Sequence, residues 1–239
     1  MRLCFDPTIC SDALIADAIT TAKNAGFDAM ILHCAKTASS PFHPKASVRV
    51  IRDYFDKANI ALVGLNIRDL TGLNDKGIEN LDFSLRQIEW DIHLARALRL
   101  QSANFKGGPN TNNARDALIT GVNKILETIS DVTLNIGNSQ NTCLVNTDDY
   151  KTIMSQLPNR AKLWLDATEM NDATDSVDSF LDRIGHVTIN LENLDIVQAL
   201  KKNRYQGTLA IDLQNTAGDP VKVASHARKQ IKEILDANE

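Results

Sequence analysis

The sequence predicts an α/β protein built as one closed (β/α)8 TIM barrel, on three observations. Short apolar runs alternate with longer segments of helical period from one end of the chain to the other. The alternation repeats eight times, and eight units in 239 residues favour a closed barrel over an open sheet. No linker, composition break or low-complexity stretch interrupts it, so residues 1–239 read as a single domain. Each helical segment supplies the crossover that two parallel strands need.

The units follow in order. The first run, 2–6 (RLCFD), leads to a helix over 12–25 with Leu14, Ala18 and Ala22 on one face and Gly26 as its C-terminal cap. The second run, 28–34 (DAMILHC), precedes a helix from Pro44, where proline suits a first turn and Val48, Ile51, Phe55 and Ala58 recur at threes and fours. The third, 60–67 (IALVGLNI), passes through a loop with Gly72 and Gly77 into a helix over 79–98, striped by Leu81, Leu85, Ile88, Ile92 and Ala95. The fourth, 101–106 (QSANFK), is the least apolar; it closes on Gly107-Gly108-Pro109 before a helix over 113–129.

The fifth run, 132–137 (VTLNIG), gives a short helix over 147–157, with Thr147 as its N-cap and Asp148 in its first turn. The sixth, 161–166 (AKLWLD), is followed by a helix over 175–184 on Val177, Phe180, Leu181 and Ile184. The seventh, 186–191 (HVTINL), precedes Ile196, Val197 and Leu200 on a helix that ends before Gly207. The eighth, 208–213 (TLAIDL), leads to a final helix from Pro220 that buries Val223, Ala227, Ile231 and Ile234.

Charge and cysteine usage narrow the function. Twenty-six Lys and Arg against 30 Asp and Glu give a net charge of −4, which argues against gripping a nucleic-acid backbone. The four cysteines form no CxxC pair and no zinc spacing. The N-terminus has no long apolar leader, and no stretch approaches the length of a membrane span. The expectation is a cytoplasmic protein with a small-molecule ligand, and no membrane or nucleic-acid partner.

In a barrel of this kind the site lies at the C-terminal ends of the strands. Polar side chains gather there: Asp6 on the first run, His33 on the second, Asn66 on the third, Asn104 and Lys106 on the fourth. Asn135 and Asn138 follow on the fifth, Asp166 and then Thr168 and Glu169 on the sixth, Thr188, Asn190 and Glu192 on the seventh, Asp212 and Gln214 on the eighth. Alternation puts Trp164 and Asp166 on one side of their strand, and Ala210 and Asp212 on one side of theirs. Asp166, Asp212 and Lys106 are the candidate catalytic groups. His33, Asn66, Asn104, Asn135, Asn190 and Gln214 are the candidate ligand contacts. Lys106 has three readings: an anion site, a Schiff-base nucleophile, or a solvated surface charge, the last being the default. His186 opens its strand and is expected at the opposite, stabilising face; His43, His93 and His226 fall on a loop or helices.

The order and length of the units, with MRLCFDP at the start, AGFDAMIL before the second strand, LWLDATE at the sixth and GTLAIDL at the eighth, resemble the xylose isomerase-like TIM-barrel superfamily, the sugar phosphate isomerase/epimerase family. The resemblance implies a divalent metal at the barrel mouth, Mg²⁺ or Mn²⁺ here, or none. It also implies carboxylates that move a proton next to a carbonyl. Its ligand set falls on Gly137 in place of a Glu, on Asp166, on Glu169 in place of a His, on Thr188 in place of a His, and on Asp212 in place of a Glu. A metal would therefore rest on Asp166, Asp212 and Glu169, with Glu192 in reserve. The apurinic-site endonucleases of that superfamily resemble a His-rich multi-zinc cluster, which five scattered His do not supply. Three readings stand: a sugar (phosphate) isomerase or epimerase acting on a small carbohydrate or hydroxy-carbonyl compound, a diverged barrel that binds such a ligand without the metal chemistry, and a metal-free lyase using Lys106.

Overall fold

Eight parallel strands close on one another in sequence order, so that the first pairs with the last. They are β1 (Arg2–Phe5), β2 (Ala29–His33), β3 (Ala61–Asn66), β4 (Ser102–Lys106), β5 (Thr133–Gly137), β6 (Ala161–Asp166), β7 (Ile184–Ile189) and β8 (Thr208–Ile211). One helix follows each strand: α1 (Ile15–Asn24), α2 (Val48–Ala58), α3 (Leu81–Ala97), α4 (Asn112–Thr128), α5 (Thr147–Met154), α6 (Ala173–Phe180), α7 (Leu194–Lys202) and α8 (Pro220–Asp236). The structure, a computed structural model, describes residues 1–35, 37–41 and 47–237. Among them no helix is long and apolar enough to cross a membrane.

Local chemistry sets the boundaries and corrects several expected ones. Ser47, Asn80, Thr111 and Asp219 each accept a backbone N–H in the first turn of the helix they precede, the usual N-cap bond. Pro44 and His43 lie outside the described residues; α2 begins at Val48 behind Ser47. Asn146, not Thr147, caps α5, because its Oδ1 accepts from both Asp148 N and Asp149 N. The sixth helix stops at Phe180; Leu181–Arg183 form a 3-10 turn, and Ile184 already belongs to β7. That moves His186 from first to third place in its strand. Asp6 leaves β1 to cap a 3-10 turn over Pro7–Cys10, accepting from Thr8 N at 3.0 Å.

Two layers of packing result. The outward side chains of the strands meet the helix stripes in one continuous apolar cluster that includes Leu32, Leu65, Phe105, Ile136, Leu165 and Ile189. Burying that area is the main stabilising term of the fold. Inside the barrel the apolar cluster is small: Cys4, Ala29, Ile31 and Ala210, with Val63 against them. Much of the remaining interior is polar. Asn66, Asn104 and Asn135 stand in register on β3, β4 and β5. Asn135 Nδ2 donates to Asn104 Oδ1, and Asn104 Nδ2 donates to Asn66 Oδ1, each at 2.7 Å. Asn135 Oδ1 ends this ladder without a hydrogen-bond partner among the described residues. It faces Gly185 of β7, where a Cβ would lie 2.2 Å from it, so only glycine leaves it room.

Candidate active site

The C-terminal mouth carries two groups of charged side chains. The first spans β4 to β6. Lys106 Nζ lies 3.0 Å from Asp166 Oδ2 and 3.2 Å from Glu169 Oε1. It also sits 5.1 Å from the centroid of the Trp164 ring, within cation–π range. Strand register explains the reach: Lys106, Gly137 and Trp164 are neighbours across β4, β5 and β6. Gly137 has no side chain to separate the other two. A Cβ there would lie 2.6 Å from Trp164 Cε3 and 3.2 Å from Lys106 Cγ. The strand register also slips between Leu163 and Trp164, an irregularity of the kind that re-aims side chains beside sites.

The surroundings fix this group. Asp166 Oδ1 accepts from Thr168 Oγ1 at 2.6 Å and from Thr168 N at 3.2 Å. The Asn138 side chain exchanges two bonds with the Asp166 backbone, both at 2.8 Å. Asn138 Oδ1 is itself 2.7 Å from the buried Tyr150 hydroxyl. Glu169 Oε2 accepts from Ser139 Oγ and from Gln140 N. Burial alone would lower the Lys106 pKa, but Asp166 and Glu169 outweigh it and hold the ammonium charged above its ordinary value. Burial likewise opposes ionisation of Glu169, yet Ser139 and Lys106 bring its pKa below the usual value. Lys106 is therefore not the solvated surface charge its sequence suggested. A Schiff base needs a neutral amine, and this environment works against one.

The second group spans β1, β2 and β8. His33 Nε2 lies 2.9 Å from Asp6 Oδ1. Thr8 Oγ1 donates to Asp212 Oδ1 at 3.0 Å, and Gln214 N donates to the same oxygen at 2.9 Å. Thr8 thus ties Asp6 to Asp212. Burial would raise the Asp6 pKa, but the His33 charge and hydrogen bond pull it below the ordinary value. Burial would lower His33, but Asp6 raises it above 6.5, with Asp212 adding to the effect. Asp212 is raised by its own burial and then by the nearby charges of Asp6 and Asp166. Neither Asp6 nor Thr8 was among the candidate residues. The signal for Asp6 was present, since it ends its apolar run as Asp166 does. Nothing in the sequence marked Thr8.

A cleft of about 430 Å³ opens above β6 to β8, lined by Thr168, Glu169, Asn190, Glu192, Asp212 and Gln214 among others. Of the expected ligand contacts, the structure brings Asn190 and Gln214 to this cleft. Asn104 and Asn135 it does not: both are fully buried in the ladder. Asn66 joins them to His33, its Nδ2 lying 3.4 Å from His33 Nδ1. His186 is buried among inward-facing groups rather than at the far face. Its Nδ1 is 2.7 Å from Thr208 Oγ1 and its ring 6.1 Å from Trp164. Burial outweighs the nearby charge of Asp6 and lowers its pKa to about 4, which favours the neutral form. His93 and His226 are exposed on α3 and α8.

The donor set does not fit a divalent ion of the expected kind. Among the described residues no three His, Cys, Asp or Glu side chains form a group that could hold a metal. The facing oxygens of Asp166 and Glu169 already hold an ammonium. The fifth-strand position is a glycine whose side-chain space Trp164 fills. Asp212, the third expected ligand, is bonded within the other group by Thr8 and Gln214.

No family model matches the sequence, and no curated protein matches it. Solved structures match its fold along nearly the whole chain. The IolI protein with a bound zinc atom superposes with a TM-score of 0.79 at 12% identity, covering 98% of both chains. An L-ribulose 3-epimerase gives 0.77 at 15% identity, covering 98% of this chain and 94% of its own. A xylose isomerase domain-containing protein from Salmonella typhimurium gives 0.76 at 13% identity, covering 98% and 97%. The chain thus has the xylose isomerase-like TIM-barrel fold. At such identities the likeness establishes the fold, and function rests on the site itself.

Proposed function

We propose that this barrel binds a small carbohydrate or hydroxy-carbonyl compound in the cleft above β6 to β8 and moves a proton on it, as an isomerase or epimerase does. The observation that carries the reading is the separation of carboxylates at one mouth. Burial, with the charges of Asp6 and Asp166, raises Asp212 above its ordinary value, while Ser139 and Lys106 bring Glu169 below its own. Pairs of titratable groups driven apart in this way mark acid/base roles. Asp212 takes the proton from the carbon beside the carbonyl, the C–H electron pair forms the enediol double bond, and the carbonyl oxygen gains the charge. For isomerisation the proton returns to the former carbonyl carbon while the hydroxyl proton of the other carbon passes to the enediolate oxygen; for epimerisation Asp212 keeps its proton and water on the opposite face supplies a proton to the same carbon. Two of the three N–H groups of Lys106 face Asp166 and Glu169, and its ammonium also lies against the Trp164 ring.

Epimerases of this fold, the L-ribulose 3-epimerase among them, support the carbohydrate class. A cleft of about 430 Å³ suits a ligand of monosaccharide size. The four cysteines, all unpaired, suit a reducing cytoplasm. A second reading has its own support: Asp166 and Glu169 are engaged by Lys106, as in a barrel that binds its ligand without turnover.

Proton NMR of aldoses, ketoses and their phosphates in D₂O with excess chelator separates these readings. The isomerase reading expects deuterium beside the carbonyl, with the rate lost in Asp212→Asn. Thermal stabilisation by a sugar without deuterium uptake selects the binding reading. Exchange that Asp212→Asn leaves intact removes Asp212 as the base, and neither exchange nor stabilisation overturns both readings.

A further inference from the structure

We infer that Lys106 is the resident cation of the barrel mouth, a built-in single charge that makes the site independent of divalent metal. Four observations converge on it. Asp166 Oδ2 and Glu169 Oε1 approach one point from β6 and the turn after it, and Lys106 Nζ fills that point at 3.0 and 3.2 Å. Trp164 offers its ring face to the same ammonium. Gly137 leaves the path from β4 to β6 open, with the Trp164 ring in the space a side chain would take. Asp69 Oδ1 accepts from Lys106 N at 3.1 Å, which anchors the backbone from which the side chain springs.

An ion bound from solution would have to displace this ammonium and leave it buried beside a second positive charge. The lysine is tethered at the same point, so its effective concentration far exceeds that of a dilute ion. The same oxygens are hard donors of the type that hold Mg²⁺ and Mn²⁺. Removing Lys106 therefore uncovers a weak divalent site that the native chain keeps closed. The inference concerns the cation alone and holds whichever ligand the cleft takes.

The test is the metal content of the purified protein, with thermal unfolding in millimolar MgCl₂ or MnCl₂, for wild type, Lys106→Ala and Asp166→Asn. Wild type is expected to contain no stoichiometric divalent metal and to keep its Tm on addition of either salt. Lys106→Ala is expected to unfold at a lower temperature and to regain about 3 °C in MnCl₂. Stoichiometric metal in wild type that is absent from Asp166→Asn overturns the inference. So does a folded Lys106→Ala that ignores both salts. If Lys106→Ala does not fold, Lys106→Gln carries the same comparison, and the wild-type metal content decides by itself.

Discussion

The two sides of the mouth use the same carboxylate chemistry to opposite ends. On the β4–β6 side the counter-charge is a lysine, whose ammonium Asp166 and Glu169 hold in its charged form. On the β1–β2–β8 side the counter-charge is a histidine, which changes its charge near neutrality. The first side pairs its carboxylates with an ammonium whose pKa they raise, while the second pairs its aspartate with a histidine whose pKa that aspartate raises. His186 completes the contrast. It shares the barrel with His33, but a threonine partner leaves burial in control, which favours the neutral form.

The largest test of this difference is Lys106→Met. It leaves Asp166 buried beside Glu169 with no cation between them, and removing one partner of a buried pair costs about 3–5 kcal/mol. Urea unfolding near neutral pH should show a loss on that scale. A loss below about 1 kcal/mol would mean that the cluster is no tighter than a surface ion pair.

Asp6→Asn comes next, with an expected cost of about 2 kcal/mol for the lost charge-assisted bond to His33. The sharper readout is NMR titration of His33. Without Asp6, burial dominates and the His33 pKa should fall below its ordinary 6.5. An unchanged value would show that Asp6 is not what raises it. The pH dependence of wild type follows from the directions of the shifts. His33 is raised, so its contribution is full below about pH 6.5 and lost as pH climbs through its folded value. Asp6 is lowered, so its contribution is full above about pH 4 and lost as pH falls through its folded value. The pair stabilises most between those limits. His186 acts with the other sign: the unfolded chain takes up its proton below about 6.5, so stability drains as pH falls toward 4.

The smallest expected effect is Asp212→Asn. It removes a carboxylate strained by burial and by Asp6 and Asp166, and the amide oxygen can still accept from Thr8. A gain of about 0.5 kcal/mol in chemical denaturation is expected, the usual scale of relieved charge repulsion. A clear loss would show that the charge holds the second group together.

Much of this architecture is legible in the sequence. The alternation of period two and period three to four fixes each βα unit locally, and β6 matches its expected bounds at both ends. Asp166, Lys106, Glu169, Asp212 and His33 stand at or just beyond strand ends, which is why the strand ends name them. The misplaced boundaries have local causes. Asn146 offers a better capping geometry than Thr147, and a 3-10 turn ends α6 early, which shifts the start of β7 and the position of His186.

By itself, then, the sequence determined the repeat, the barrel it closes into and the rim on which the polar groups stand, because those follow from spacing over a few residues. Which groups meet was decided by closure of the barrel. Lys106 and Asp166 are 60 residues apart and touch because Gly137 leaves the strand between them bare. Thr8 and Asp212 are 204 residues apart and bond because β1 pairs with β8. Charge state was decided there too. Burial alone would push both His33 and His186 toward the neutral form; Asp6, bonded to His33 and aided by Asp212, raises His33 past its ordinary value, while its weaker effect on His186 leaves burial in control.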